Sequence, residues 1–443
     1  MAKVAQIIES LKEYLEGKTT LETYRNVPSN FSRESVLNFP TTALLGISLL
    51  KGNLSGEVYN ILSSNDLPVR TDSAYSQARY KIKPSFYLGW NNCLLKNIYS
   101  LDNELVTENY APLKRWRGYS IEAIDGSKLT LPQLDALAKE FGKHKSGTKK
   151  MVVYTVMALL LCRCDVLNNY IVQSELLPLT TGEINACKPW IGGLNSEAIT
   201  LFDRGFASLF MFHLLTKHKK PFVMRIKVGF NNEVKAFMAS EAKDSIITFR
   251  ANRSESIDYE GFGSDTLEKG DMVSVRLVKV RLPNGEIEVL ATSFLDAQTM
   301  SIADLGELYA LRWGVETAFD RLKNQLLIMC FSGIKPDAIY QDVYATIFVY
   351  NLQQLLANQA QVIVNEHNNK TKLDYAVNNS TAIAILKPRI FAIFRDTQPD
   401  KIIDKLINAM SKNTEAIRKN RPPKPRRKSI AKRRNLVTQH NFK

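Results

Sequence analysis

The 443-residue chain lacks an apolar run long enough to cross a bilayer: the longest, Met151 to Cys162, covers about a dozen residues where a span needs ~20. Its opening stretch, MAKVAQIIES, has no signal-peptide core. We therefore expect an unsecreted protein with no membrane partner. Cysteine is scarce as well. Five are scattered as Cys93, Cys162, Cys164, Cys187 and Cys330, and the one C-x-C pair lies in an apolar stretch with no second pair or ligand histidines nearby. This argues against a thiolate metal site and predicts reduced core thiols. No repeat of roughly twenty to fifty residues is visible, which excludes a solenoid. Acidic residues are in deficit, 44 against 59 Lys and Arg, and the net +15 points to a polyanionic partner, nucleic acid ahead of anionic membrane. Core material is plentiful: 45% hydrophobic and 23% charged residues exclude both a disordered tail and a disulfide-stapled miniprotein.

Along the chain, segments 4 to 17 and 41 to 63 carry helically spaced apolar residues, and Thr71-Asp72 caps a third candidate helix, SAYSQARYKIK, ending before Pro84. That helix offers Gln77, Arg79 and Lys81, with Tyr80 and Lys83, as contacts to DNA, although a solvated face has the same composition. From about residue 117 the pattern turns β-rich. GYSIEAIDGSKLTLP reads as two strands joined at Asp125-Gly126-Ser127, KKMVVYTVMALLLC as a long buried strand, and EAITLF as a short strand ending at Asp203. VLNNYIVQSELL supplies an edge strand or a helix start, ASLFMFHLLTKHKK an amphipathic helix, and PFVMRIKVG another strand, together an α/β sheet. Residues 233 to 297 are again strand-like, with a hairpin at Asn284-Gly285, and interrupt the α/β core. Ser301 and Asp304 form a capping box that opens one long helix to about Phe331, followed by more helix over 338 to 366. Between Lys412 and Arg434 eleven basic residues face one Glu, and Pro422, Pro423 and Pro425 keep this tail extended. It reads as a nucleic-acid clamp in preference to a solvated arm, with Arg426, Arg427 and Arg433 among its contacts.

Two aspartates stand out by placement. Asp125 follows one apolar strand and Asp203 another, and carboxylates at strand ends of one sheet can converge on a hard divalent cation. A third carboxylate is then needed from a packed element. On one unbroken helix over 302 to 331, Tyr309, Arg312, Glu316 and Lys323 share a face about 60 degrees wide, at about 100 degrees per residue. Trp313 borders it, as core aromatic or DNA contact. The bland reading is a surface Arg312–Glu316 pair at i, i+4.

These four residues fill the pattern Y-x2-R-x3-E-x6-K, and with the segments IDGSKLTLP and LFDRGF the chain resembles the insertion sequence 4 family of bacterial DDE transposases over about residues 30 to 435. The resemblance implies a ribonuclease-H-like catalytic core interrupted by a β-rich insertion, with a helical N-terminal domain and a helical, basic C-terminal region. The corresponding divisions are 1–115, 116–232, 233–297, 298–370 and 371–443. It also implies Asp125, Asp203 and Glu316 as the metal-binding catalytic triad for two Mg²⁺ ions, with Mn²⁺ able to substitute, and Tyr309, Arg312 and Lys323 as holders of phosphate. The partners it implies are double-stranded transposon-end and target DNA and a second copy of the chain in the synaptic complex, in the bacterial cytoplasm at the nucleoid. The alternative is a transposase-derived DNA-binding protein that no longer cuts and acts as inhibitor or repressor; a nuclease without strand joining would keep the same metal residues. Family members that form a flanking-DNA hairpin hold a flipped base on a Trp, and the matching position here is Glu288. No Trp lies between Asp203 and Arg312, so either Phe294, Tyr259 or Phe262 stacks instead or the flanking strand is handled differently; the resemblance then implies that hairpin intermediates are scarce and that Glu288→Trp raises their yield.

Overall fold

A computed structural model of the chain describes residues 2–101, 111–148, 151–259, 263–282, 285–368 and 373–417. The basic tail, with Arg426, Arg427 and Arg433, lies outside them, as do Phe262 and Asn284. The chain divides into two compact units, one of Met1–Leu113, Leu129–Met157 and Asp320–Lys443, the other of Lys114–Lys128 and Ala158–Phe319. No helix among the described residues is long and apolar enough to cross a membrane.

The first unit is largely helical. Helices Phe39–Ser48 and Leu54–Ser63 start where the Asn38 and Asn53 side chains accept from Thr41 N and Gly56 N. Residues 41 to 63, expected as one helical segment, are thus two helices; Lys51, with φ 70°, makes the turn between them. Helix Asp72–Arg79 is capped by Thr71, which accepts from Ala74 N at 3.1 Å. The long helix Pro336–Asn368 begins with proline, whose missing N–H would have no partner in a first turn anyway. Its Phe348 stacks on Trp90 of helix Ser85–Leu101 with ring centroids 4.2 Å apart.

The strands are β1 (Ser120–Thr130), β2 (Lys143–Thr148), β3 (Met151–Asp165), β4 (Tyr170–Pro178), β5 (Ala198–Phe202), β6 (Phe222–Ile226), β7 (Asp244–Arg250), β8 (Glu255–Asp258), β9 (Ser264–Leu267), β10 (Met272–Arg281) and β11 (Ile287–Thr292), with a short pair, β12 (Tyr375–Val377) and β13 (Thr414–Ala416), in the first unit. The fold class is mixed α/β. In the second unit the sheet runs β3-β1-β5-β6-β11-β10-β7, with β4 also paired to β3. β1, β5 and β6 are parallel, and β11, β10 and β7 add antiparallel. Helix Leu209–Lys217 puts Phe210, Phe212 and Leu214 into the apolar layer that covers Phe202, Met224 and Val289.

Three expectations change here. β1 runs unbroken through Asp125-Gly126-Ser127, where a turn between two strands is predicted. The N-terminal part of β3 pairs with β2 and leaves Val152, Val153 and Tyr154 exposed, so that strand is not buried throughout. Residues 233–297 are strand-rich: β7, β10 and β11 continue the sheet, β8 and β9 form a small sheet of their own, and Asn232–Ala239 is helical. Their alternating apolar residues bury one face against the core shared with β5 and β6. Finally, the helix expected over 302 to 331 is two, Ile302–Ala310 and Trp313–Asn324. Leu311 N and Arg312 N bond back three residues to Leu308 and Tyr309, a tightening that ends the first helix. The second ends before Leu327, whose φ is 52°.

Candidate active site

Ile124 of β1 sits opposite Phe202 of β5 in a parallel pair, so the next residues, Asp125 within β1 and Asp203 just past the end of β5, stand at the same level. Neighbouring strands lie about 4.8 Å apart, which brings the carboxylates side by side. Each is held by the backbone beyond it: Asp125 Oδ1 accepts from Gly126 N at 2.8 Å, and Asp203 Oδ1 accepts from Gly205 N.

Arg312, in the turn between the two helices, is 7% exposed. Its Nη2 donates to Glu316 Oε1 at 2.7 Å and its Nη1 lies 3.7 Å from Asp125 Oδ2. The guanidinium carbon also stands 5.8 Å from the Tyr309 ring centroid and 5.1 Å from that of Trp313. Tyr309, Arg312 and Glu316 therefore come together, but around a helix break and not along one continuous stripe. Gly314 makes the close fit possible, since a Cβ there would meet Val166 Cβ at 2.9 Å. Lys323 follows Glu316 by two turns on the same helix, within the other unit; burial lowers its ammonium pKa. Trp313 is 59% exposed, which removes the core-aromatic reading.

A carboxylate that sequence reasoning missed stands with the pair. Glu183 opens the short helix Glu183–Cys187 between β4 and β5. A Cβ on Gly126 would come within 2.5 Å of Glu183 Cγ, and one on Gly205 would lie 2.8 Å from Asp203 Oδ1 and 3.9 Å from Glu183 Oε2. Gly126, directly after Asp125, and Gly205, two residues after Asp203, are thus what let three acidic side chains approach. The only signal in the sequence was an acidic residue after a strand in the interval between the two aspartates, too common a pattern to select.

The electrostatics follow from this crowding. Burial, with Asp203 and Glu183 adding to it against the Gly126 N–H and Arg312, pushes the Asp125 carboxyl up to about 7 from an ordinary 3.8. Glu183 is raised by burial and by Asp203, with Lys128 opposing. Burial pushes Tyr309 up to about 12. Among the described residues, no three acidic, histidine or cysteine side chains already stand in coordinating geometry.

Of the other predicted contacts, Gln77 and Lys81 are exposed, with the Lys81 ammonium 5.9 Å from the Phe31 ring centroid. Arg79 is a correction. It is 3% exposed, with Nε donating to Gln341 at 2.8 Å, Nη2 to Asp342 at 2.9 Å, and Nη1 to the Ser332 hydroxyl, so its donors are spent inside the helical unit. Glu288 pairs with Arg225 at 2.8 Å. Of the aromatics offered in place of Trp, Tyr259 donates its hydroxyl to Asp265 at 2.7 Å and Phe294 packs edge-on to Tyr119.

Residues 116–352, which hold every acidic residue described above for the site, match the transposase DDE domain family. The chain is 20% identical over 328 residues to the transposase InsG for insertion sequence element IS4 of Escherichia coli (strain K12), covering 72% of this chain and 69% of that one. It is also similar to the piggyBac transposase in a synaptic complex with hairpin DNA, with a TM-score of 0.42 and 10% identity over 96% of this chain and 86% of the other. The chain belongs to the transposase DDE domain family and is a DNA transposase.

Proposed function

We propose that Asp125, Asp203 and Glu316 are the acidic residues that hold two Mg²⁺ ions, with Mn²⁺ able to substitute, for cleavage and joining of transposon-end DNA. The observation that supports this is the register of β1 and β5, which sets Asp125 and Asp203 beside each other where the parallel pairing of the two strands ends. The donor set fits the ion: carboxylate oxygens are what a hard divalent cation selects, and the glycines leave a cradle that a Cβ would fill. Bound there, such ions activate an attacking hydroxyl and stabilise a leaving 3′ oxygen. The chain's own part is to position. Arg312 sets its guanidinium between Asp125 and Glu316, beside the place a phosphate would take, while Tyr309 stands against it. Lys323, Gln77 and Lys81 add contacts to the backbone, as do the tail residues Arg426, Arg427 and Arg433. In this reading the sheet is a ribonuclease-H-like core, the helical regions on either side of it in sequence carry DNA, and two copies of the chain bring two ends together. A binding protein that no longer cuts is disfavoured, because it has no use for buried, mutually repelling carboxylates.

The test is Mg²⁺-dependent cleavage and strand transfer on end DNA. Asp125→Ala, Asp203→Ala and Glu316→Ala should each abolish cleavage and leave DNA binding within a few fold, since the metals act mainly on the transition state. Residual cleavage above ~10% in one variant would remove that residue from the triad, since losses at such sites are typically far larger.

A further inference from the structure

Glu183 is the acidic residue of the site that no pairing explains. Glu316 has Arg312, and Asp125 and Asp203 have backbone N–H donors. Glu183 is half-buried and, among the described residues, has neither a hydrogen bond nor an ion pair. A carboxylate withdrawn from water without a partner is costly and calls for a cation. Its position indicates which one. One oxygen, Oε1, lies 2.8 Å from where a Gly126 Cβ would be, and the other, Oε2, lies 3.9 Å from where a Gly205 Cβ would be. The carboxylate therefore spans the two backbone segments that carry Asp125 and Asp203. Lys128 opposes its charge only from a distance. Arg312 is already committed to Glu316 and Asp125.

We propose that Glu183 is a fourth carboxylate of the metal site, a residue that positions a divalent ion between Asp125 and Asp203, directly or through the ion's bound water. The inference rests on the proposed role of the aspartate pair. It assigns the two ends of the site different work: Glu183 faces the two aspartates, and Glu316 stays within reach of Arg312 and of DNA.

The experiment is Mn²⁺ binding to the full chain, followed as loss of the free-ion electron paramagnetic resonance signal, so that it does not depend on turnover. Glu183→Gln keeps the shape and removes the charge, and circular dichroism checks that it folds. Glu183→Ala also removes the charge and serves if the glutamine variant does not fold. Glu175→Gln, a half-buried carboxylate on β4 bonded to Trp190, is the control. We expect Glu183→Gln to weaken Mn²⁺ binding by roughly tenfold or more. Asp203→Asn should do the same, and Glu175→Gln should match the native protein. The Mg²⁺ concentration for half-maximal cleavage should rise for Glu183→Gln by a similar factor. Native binding by Glu183→Gln, or by Glu183→Ala if only that variant folds, alongside weak binding by Asp203→Asn would overturn this inference and leave the aspartate site standing. Native binding by both the Glu183 and the Asp203 variants, or no binding by the native protein, would overturn both.

Discussion

Arg312 donates to Glu316 at 2.7 Å while standing 3.7 Å from Asp125, so a single buried guanidinium serves carboxylates from a helix and from a strand. Removing it leaves two acidic groups closer to uncompensated and takes a donor from the DNA side. We expect Arg312→Ala to lower the single-turnover cleavage rate about a hundredfold, the scale of losing one preorganised donor to the transition state. Arg312→Lys should recover little of it, because a point charge cannot reach both carboxylates as a planar fork does. Recovery to near-native rates in the lysine variant would reduce Arg312 to simple charge balance.

The raised Asp125 carboxyl makes metal-free stability fall with pH. Its folded pKa of about 7 lies above the ordinary 3.8, so the folded state keeps a proton that the unfolded chain loses. The contribution is fully present below about 4 and is lost as pH rises through about 7. Thermal unfolding without divalent ions should show a melting temperature that declines across this window, and Asp125→Asn should flatten the decline. Mg²⁺ binds the deprotonated site, so its stabilisation should grow over the same window. An unchanged pH profile in Asp125→Asn would place the titration elsewhere.

The two aspartates were legible because each ends an apolar strand run at a glycine-containing step, and strand order needs only that pattern. What the pattern could not convey was why the glycine is there. At Gly126 it serves the approach of Glu183 and not a bend, so a turn was predicted inside an unbroken β1. The spacing of Tyr309, Arg312 and Glu316 identified the cluster correctly as a group but assumed a continuous helix. The break is set by tertiary fit, with Gly314 against Val166, and no local propensity records it. Residues 233–297 have strand alternation in plain view, yet whether strands extend a sheet or form another depends on pairings distant in sequence. Arg79 failed for a related reason: its acceptors Ser332, Gln341 and Asp342 lie more than 250 residues away.

That network yields a prediction of its own. Arg79→Ala strands the buried carboxylate of Asp342, and breaking such a pair from one side typically costs about 3–5 kcal/mol. Urea unfolding should show a loss on this scale, partly restored when Asp342→Asn is added. DNA affinity per folded molecule should stay native. A drop in affinity without a change in stability would return Arg79 to the DNA.

Glu288 occupies the position at which related transposases are expected to present a base-stacking Trp, and the sequence suggests that replacing it would favour a hairpin intermediate. Its surroundings argue otherwise. The side chain is only 10% exposed and pairs at 2.8 Å with Arg225 of β6, and both charges act on the Tyr309 hydroxyl. A base stacked on an aromatic ring gains about 1–3 kcal/mol, but an indole here first has to displace the ion pair and leave Arg225, whose side chain is 34% exposed, without its partner. We therefore expect Glu288→Trp to reduce first-strand nicking and hairpin formation by similar factors, and Glu288→Gln, which keeps the volume, to reduce both less. Denaturing gels of a labelled end and of a precleaved end, each incubated with Mg²⁺ and each variant, measure the two steps separately. A rise in hairpin yield from Glu288→Trp with nicking unchanged would mean that this side chain leaves Arg225 to meet the flanking strand.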